Sequence, residues 1–252
     1  MTQQPDNLVY KRVKVFSGPS PSLRIFLERK RSYFFAKRCF DLIISLVIIS
    51  LILSWLFPVL MILIKLDSKG PVFFKQKRIG FLGRVFWCYK LRTMYVNREA
   101  DTKQASEDDP RITRIGKFLR FTGLDEFPQV FNVLLGQMSI VGPRPHMAAD
   151  CAKFSSVISG YKLRHVVKPG ITGLAQIKGY KGLTKDFESI FHRYQFDAFY
   201  VRNASFWLDM RIVRKTAAHI IGEVFTRMFK NESVEEPAKK WSATYKEKEL
   251  QN

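Results

Sequence analysis

Leu124-Asp125-Glu126-Phe127-Pro128-Gln129 sets two adjacent carboxylates inside a basic stretch, with Arg111, Arg114, Lys117 and Arg120 before them and Arg144 after. Carboxylates ringed by guanidinium groups suit chemistry on a phosphate, because the cations hold the anion and offset its repulsion from an attacking carboxylate. Local pattern alone leaves a plainer reading equally open: acidic residues in the first turn of a helix, where the macrodipole favours them. The elements around the pair have to decide.

Composition narrows the class. The chain has 252 residues, with 42 Lys plus Arg against 22 Asp plus Glu, a formal net charge of +20. Such an excess calls for a polyanionic partner: nucleic acid, an anionic membrane face or phosphorylated small molecules. The 22 phenylalanines argue for the membrane, since a nucleic-acid binder pairs its charge with polar or Gly-rich arms, and no nucleic-acid motif is present. Cys39, Cys88 and Cys151 are too far apart for a zinc or redox motif and imply structural thiols in a reducing compartment.

Residues 42–64 carry no formal charge over 23 positions, about 34 Å of helix. Basic residues flank the run on both sides: Arg29, Lys30, Arg31, Lys37 and Arg38 before it, and Lys65, Lys69, Lys75, Lys77 and Arg78 after it. A spanning helix concentrates positive charge on its cytoplasmic side, and neither flank wins here. Pro58 removes a backbone hydrogen bond deep in the run. These features favour a helix that enters the cytoplasmic leaflet, breaks near Pro58 and returns; an ordinary single span with a tolerated proline is the alternative.

The pair therefore sits downstream of a membrane element, in a chain that divides by composition. Residues 1–22 read as an N-terminal arm. Residues 23–66 hold an amphipathic interfacial helix (23–38) and the membrane helix. Residues 67–230 are expected to form a cytosolic domain that carries the acidic pair, and 231–252 a polar tail. Within the domain, residues 71–94 alternate apolar positions around glycine turns and predict a hairpin. Residues 102–109 read as a polar loop. Residues 111–135 predict a helix interrupted at Thr122-Gly123, with Thr122 as N-cap of the part carrying the acidic pair and Pro128 near its first turn. Residues 186–229 show long helical periodicity. The fold class expected is α+β and mainly helical, with a re-entrant membrane helix, interfacial helices and a small β-hairpin around a cytosolic site.

Six stretches in order carry a resemblance: Ile64 through Gly80 (IKLDSKGPVFFKQKRIG), Lys90 through Met94 (KLRTM), Asp109 through Arg120 (DPRITRIGKFLR), Leu124 through Gln129, Asn132 through Pro145 (NVLLGQMSIVGPRP) and Pro169 through Gln176 (PGITGLAQ). Together they resemble the bacterial sugar transferase family, the monotopic polyprenyl-phosphate phosphoglycosyl transferases, over roughly residues 37–220. The resemblance implies transfer of a sugar-1-phosphate from a UDP-sugar to polyprenyl (undecaprenyl) phosphate, with release of UMP, at the cytoplasmic face of a bacterial inner membrane, as the first membrane step of surface glycan assembly. It also implies a re-entrant helix.

By that resemblance Asp125 is the nucleophile that attacks the β-phosphorus and holds the sugar phosphate as an acyl phosphate. Mg²⁺ is the cofactor expected beside the diphosphate, touched by Asp125. Glu126 assists, by proton handling or by ordering a phosphate. Arg120 and Arg144 carry over as phosphate clamps, and Lys90 is a third cation whose place Arg92 could take. Expected partners are the UDP-sugar, polyprenyl phosphate and anionic lipids, with self-association left open. A non-catalytic basic membrane scaffold is the rival function.

Several residues have plainer readings. Arg111, Arg114 and Lys117 read as a solvated or lipid-facing basic stripe. His146 and His165 have no diagnostic spacing and read as surface or core histidines. Residues 169–173 form a turn that either meets a phosphate with its N–H groups or is only structural. Asp197, Tyr200, Asn203, Ser205, Asp209 and Thr216 read as packing and membrane-docking positions. Relatives often place serine directly before the helix-breaking proline, whereas Phe57 stands there and the nearest serine is Ser54. The absence of further hydrophobic runs suggests a compact form, and residues 179–184 lean toward the exopolysaccharide-initiating branch.

Overall fold

The apolar run forms a helical element that leaves large apolar side chains exposed. In the computed structural model, which describes residues 21–97, 109–180 and 187–229, helix α1 spans Pro21–Arg29 and α2 spans Arg31–Ile48. A π-helical turn, Ile49–Leu53, leads into α3, Ser54–Asp67. Residues Arg31–Asp67 are long and apolar enough to cross a membrane, with a mean hydropathy of 2.8 in a window only 17% buried, unlike the core helix of a soluble protein. Ile43, Leu46, Leu51, Trp55, Ile62 and Leu66 stand exposed along it.

The expected break at Pro58 is displaced. Pro58 lies inside α3, and the irregular turn precedes it at Ile49–Leu53. A proline offers no N–H to the carbonyl four residues back and its ring crowds that carbonyl; widening the preceding turn relieves both effects. Side chains satisfy the loosened backbone: Ser54 Oγ donates to Ser50 O at 2.7 Å and Trp55 Nε1 to Leu51 O at 2.9 Å. Dihedrals stay helical at Ile48, Ile49, Leu53 and Ser54, so the helix continues through the wider turn. The interfacial helix also differs from expectation. It ends at Arg29, and Lys30 (φ −106°) turns the chain into α2 while its Nζ donates to Arg202 O and Ala204 O.

Both halves of the apolar element dock on the same body. From α2, Arg38 donates to Val133 O at 2.6 Å and Leu134 O at 2.8 Å, capping the C-terminal carbonyls of a short helix, α5 (Gln129–Leu134). Asp41 accepts from Ser139 Oγ and Ile140 N, both at 2.9 Å, and Lys37 pairs with Asp209 at 2.8 Å. From α3, Leu60 and Ile64 join Leu91 and Leu119 in a buried cluster. Phe57 meets Phe131, again on α5, with ring centroids 6.2 Å apart. In a straight helix Arg38 and Phe57 would stand about 28 Å apart, yet both reach a helix only about 9 Å long.

The expected hairpin is present. Strands β1 (Phe73–Ile79) and β2 (Val85–Leu91) pair antiparallel from Phe73↔Leu91 to Ile79↔Val85. The next helix is shorter than expected: α4 covers Arg114–Thr122, a 3₁₀ turn covers Leu124–Glu126, and α5 follows. Thr122 is not the N-cap of the part carrying the acidic pair: Gly123 precedes the 3₁₀ turn and Pro128 precedes α5, while Thr113 caps α4, its Oγ1 accepting from Gly116 N at 3.0 Å. Thr122 closes α4, donating back to Phe118 O and Leu119 O.

Sequence reading overlooked a second, parallel strand pair, β3 (Ser139–Val141) and β4 (Gly170–Thr172), in register Ser139↔Gly170 and Val141↔Thr172. Three-residue strands leave no periodic signal. The pair joins the two glycine-proline motifs: a Cβ on Gly170 would lie 2.0 Å from Gly142 N, so this close approach needs glycine. Helix α6 (Ala148–Val157), a 3₁₀ turn (Tyr161–Val166) and α7 (Leu174–Ile177) complete this side. The long C-terminal periodicity resolves into α8 (Phe187–Asn203) and α9 (Phe206–Phe229). Tyr200 and Asp209, with Tyr33 from α2, form a buried polar cluster there, Tyr200 O–H donating to Asp209 at 2.8 Å and Tyr33 O–H at 2.9 Å. Val133, Met138, Val141, Val201 and Ile212 center the main core. Residues 1–20 of the expected arm (1–22), residues 102–108 of the expected polar loop (102–109) and the whole expected tail (231–252) lie outside the described residues, as do 98–101, 181–186 and 230, while α1 takes the last two positions of the arm.

Candidate active site

Gly123 creates the turn that holds the acidic pair. Its left-handed backbone (φ 72°) stops α4 and reverses the chain, a conformation glycine adopts without a steric cost. Glu126 N then bonds Gly123 O at 3.1 Å and Phe127 N bonds Leu124 O at 3.2 Å. The two carboxylates therefore sit on a tight 3₁₀ turn, with Pro128 (φ −59°) leading into α5.

The neighbours treat the two acids differently. Glu126 is locked: Lys90 Nζ donates to its Oε1 at 2.7 Å, Arg144 Nη1 to its Oε2 at 2.9 Å, and Arg144 Nη2 to its Oε1. Asp125 is 8% exposed and, among the described residues, its carboxylate accepts no hydrogen bond. Burial pushes the Asp125 carboxyl above its ordinary range, with Glu126 adding to the rise and Lys90, Arg120 and Arg144 opposing it. For Glu126 burial acts in the same direction, but the charges and hydrogen bonds of Arg144 and Lys90 prevail and hold it well below the usual carboxylate range. One acid is thus a fixed anion gathering two cations, and the other is a free buried carboxylate beside them.

Lys90 and Arg144 converge from separate elements. Lys90 is on β2, which Asn132 fastens to α5: its Nδ2 donates to Trp87 O at 2.7 Å and its Oδ1 accepts from Tyr89 N at 3.0 Å. Arg144 follows β3. Its carbonyl accepts from Arg164 Nη2 at 2.6 Å, and Arg164 is paired at 2.8 Å with Asp197 of α8, both nearly fully buried. Arg120, at the end of α4, donates through Nε to Thr93 Oγ1 at 2.8 Å; burial disfavours its charge, and the nearby Asp125 supports it.

The structure sets Lys90 and Arg144 on Glu126, with Asp125 and Arg120 beside them, and Arg92 does not join them. Arg92 faces away from the pair and holds the C-terminal end of α3, donating to Lys69 O and Ser68 O, both at 2.6 Å. Pro58 belongs to α3 and not to this cluster. Arg111 leaves the expected basic stripe, pairing with Asp109 at 2.6 Å, whereas Arg114 and Lys117 are exposed. His146 and His165 are core residues. Burial lowers both, joined at His146 by Arg164, Arg193 and Arg78, and His165 falls to about 3, so both rings are neutral near pH 7. The N–H of Gly170 bonds Pro143 O at 3.0 Å, which gives residues 169–173 a structural role. Sequence reasoning missed Thr93, Asn132 and Arg164. Thr93 and Asn132 lay inside the quoted stretches but carry no charge, and Arg164 lay outside them all.

Among the described residues no group of three or more His, Cys, Asp or Glu is placed to hold a metal ion. The free Asp125 carboxylate fits a different arrangement, in which Mg²⁺ takes one protein carboxylate and fills its shell with phosphate oxygens and water.

A model of the family described as bacterial sugar transferase matches residues 32–223. The chain is 49% identical over 181 residues to a UDP-glucose:undecaprenyl-phosphate glucose-1-phosphate transferase of Klebsiella pneumoniae, covering 70% of this chain and 38% of that protein. It is 44% identical over 202 residues to a protein of the same name from Xanthomonas campestris pv. campestris, covering 78% and 41%. A UDP-N-acetylgalactosamine-undecaprenyl-phosphate N-acetylgalactosaminephosphotransferase of Aeromonas hydrophila is 42% identical over 190 residues, covering 75% and 44%. The chain thus spans about two fifths of the length of these relatives.

Proposed function

Because this chain belongs to the bacterial sugar transferase family, we propose that it transfers a sugar-1-phosphate from a UDP-sugar to polyprenyl phosphate, initiating assembly of a surface polysaccharide or glycoconjugate. The names of its relatives support this substrate pair, and they differ in the sugar. The observation that carries the reading is the unequal acidic pair: a buried carboxylate without hydrogen bonds next to one locked by Lys90 and Arg144. A membrane scaffold would have no use for such a carboxylate, whose burial is unfavourable.

In the proposed reaction an Asp125 carboxylate oxygen attacks the β-phosphorus of the UDP-sugar. The Asp125 O–P bond forms as the bond from that phosphorus to the bridging oxygen breaks, and UMP leaves with the bridging oxygen and its electron pair. A phosphate oxygen of polyprenyl phosphate then attacks the same phosphorus, giving polyprenyl diphosphate-sugar and freeing Asp125. Lys90, Arg120 and Arg144 hold the phosphates and offset charge as the two anions approach. Glu126, already ionised and bound on both oxygens, keeps Lys90 and Arg144 in place and is unsuited to shuttle a proton. Mg²⁺ held by Asp125 and the diphosphate would supply Lewis-acid stabilisation of the phosphoryl oxygens.

The membrane element is proposed to be re-entrant at the cytoplasmic face of the bacterial inner membrane. Contact of Arg38 and Phe57 with one short helix and basic residues at both ends of the run support that topology. Single cysteines placed before Arg31 and after Asp67 should label from the same side in sealed vesicles; labelling from opposite sides would establish a span. For the activity, purified protein with polyprenyl phosphate and Mg²⁺ should release UMP from at least one member of a UDP-sugar panel, and Asp125→Asn should reduce release by at least about 10³-fold. Full turnover by that variant would remove Asp125 from the mechanism.

A further inference from the structure

Arginine is a long, rotamer-rich side chain, and a clamp built from it needs something to aim it. Arg120 Nε donates to Thr93 Oγ1 at 2.8 Å, and this is its only hydrogen bond among the described residues. Its Nη1 and Nη2 remain for a ligand, in the fork geometry that matches two oxygens of a phosphate.

Thr93 is well placed to be a fixed reference. It is 6% exposed, and its carbonyl accepts from Thr113 N, the N-cap of α4, at 3.1 Å. A Cβ on Gly116 would lie 2.0 Å from that carbonyl oxygen, so the first turn of α4 rests directly on Thr93. Arg92, its neighbour, is bonded to the end of α3. Thr93 therefore grips α4 at both ends, by its backbone at the start and by its hydroxyl at Arg120.

We propose that Thr93 is a positioning residue for donor binding, holding the Arg120 guanidinium so that its two terminal nitrogens face the diphosphate of the nucleotide-sugar. This inference rests on the proposed function and assigns a task to a residue that touches neither the phosphate nor the acidic pair.

The test uses the full chain in detergent or lipid nanodiscs, with UDP as the probe of diphosphate binding and donor kinetics alongside. Thr93→Val keeps the shape and removes the hydroxyl. It is expected to raise the Kd for UDP and the donor KM about tenfold, as suits loss of a bond to a charged group, with a smaller change in kcat and an unchanged melting temperature. Thr93→Ser should return both constants to within about twofold of the parent. In an Arg120→Ala background Thr93→Val should cause no further loss, because the two residues act as one unit. If Thr93→Val binds UDP as well as the parent, if its effect multiplies with that of Arg120→Ala, or if Arg120→Ala itself leaves UDP binding intact, the proposal is wrong. Should Thr93→Val fail to fold, Thr93→Ala is measured against Thr93→Ser with the same criteria. UDP titration does not depend on turnover, so failure of the parent protein to release UMP would count against the proposed reaction and not against the role of Thr93.

Discussion

Asp125 and Glu126 are neighbours in sequence and opposites in electrostatics, and that contrast makes their variants predictable. Glu126 has its folded-state pKa held below the unfolded value, so it adds stability that is present above about pH 4.3 and lost as pH falls through the depressed folded value. Glu126→Gln leaves Lys90 and Arg144 facing each other over a neutral amide. With these side chains 17–25% exposed, the cost at neutral pH is expected to be about 2 kcal/mol, below the 3–5 kcal/mol of a fully buried pair. Asp125 has its folded pKa raised, so its charge weakens the fold once pH rises through that value. Asp125→Asn is expected to melt higher than the parent at pH 7. Melting curves from pH 2 to 8 check both: the two differences, of opposite sign, should shrink toward acid, that of Asp125→Asn first and that of Glu126→Gln only below about pH 4. A destabilised Asp125→Asn at pH 7 would contradict the account of the site. The acidic pair was legible in the sequence from residue type and setting, but its division of labour was not. Which acid the cations bind depends on the 3₁₀ turn set by Gly123 and on side chains from β2 and the segment after β3.

At the scale of elements, legibility followed the length of the pattern. The uncharged run of residues 42–64 and the alternating hairpin of 71–94 carry repeated signals, and both appear as helix and hairpin. The proline was visible, but the displaced irregularity at Ile49–Leu53 depends on how neighbouring turns absorb its missing hydrogen bond. The β3–β4 pair was invisible because its information lies in contacts between distant glycines rather than in local periodicity. That pair also positions the site, since Arg144 leaves directly from β3. Gly170→Ala would drive its Cβ into Gly142 N at 2.0 Å and Thr172 O at 2.5 Å, both backbone atoms. The expected loss is at least about 2 kcal/mol, with UMP release falling further as Arg144 shifts. Gly222→Ala, whose Cβ meets nothing within 4 Å, is the control and should leave stability unchanged or slightly raised. Equal melting temperatures for the two variants would show that the close approach is unimportant.

For the molecule as a whole, the arrangement joins the long apolar helix to the proposed phosphate site through a few rigid contacts. Arg92 binds the end of α3, Leu91 packs under Leu60 and Ile64, and Lys90 reaches Glu126, so three consecutive residues connect the apolar helix to the acidic pair. The +20 charge suits both an anionic lipid face and anionic substrates, and the proposed chemistry uses both. The central claim is covalent: Asp125 carries the sugar phosphate between donor and acceptor. Intact-mass measurement after mixing the protein with a UDP-sugar accepted in the UMP-release panel and Mg²⁺, without polyprenyl phosphate, tests it most directly. The account predicts an adduct of one sugar phosphate on a peptide containing Asp125, absent in Asp125→Asn and discharged on adding polyprenyl phosphate. Absence of any adduct in the parent under conditions where UMP is released, or an adduct that survives in Asp125→Asn, would contradict it.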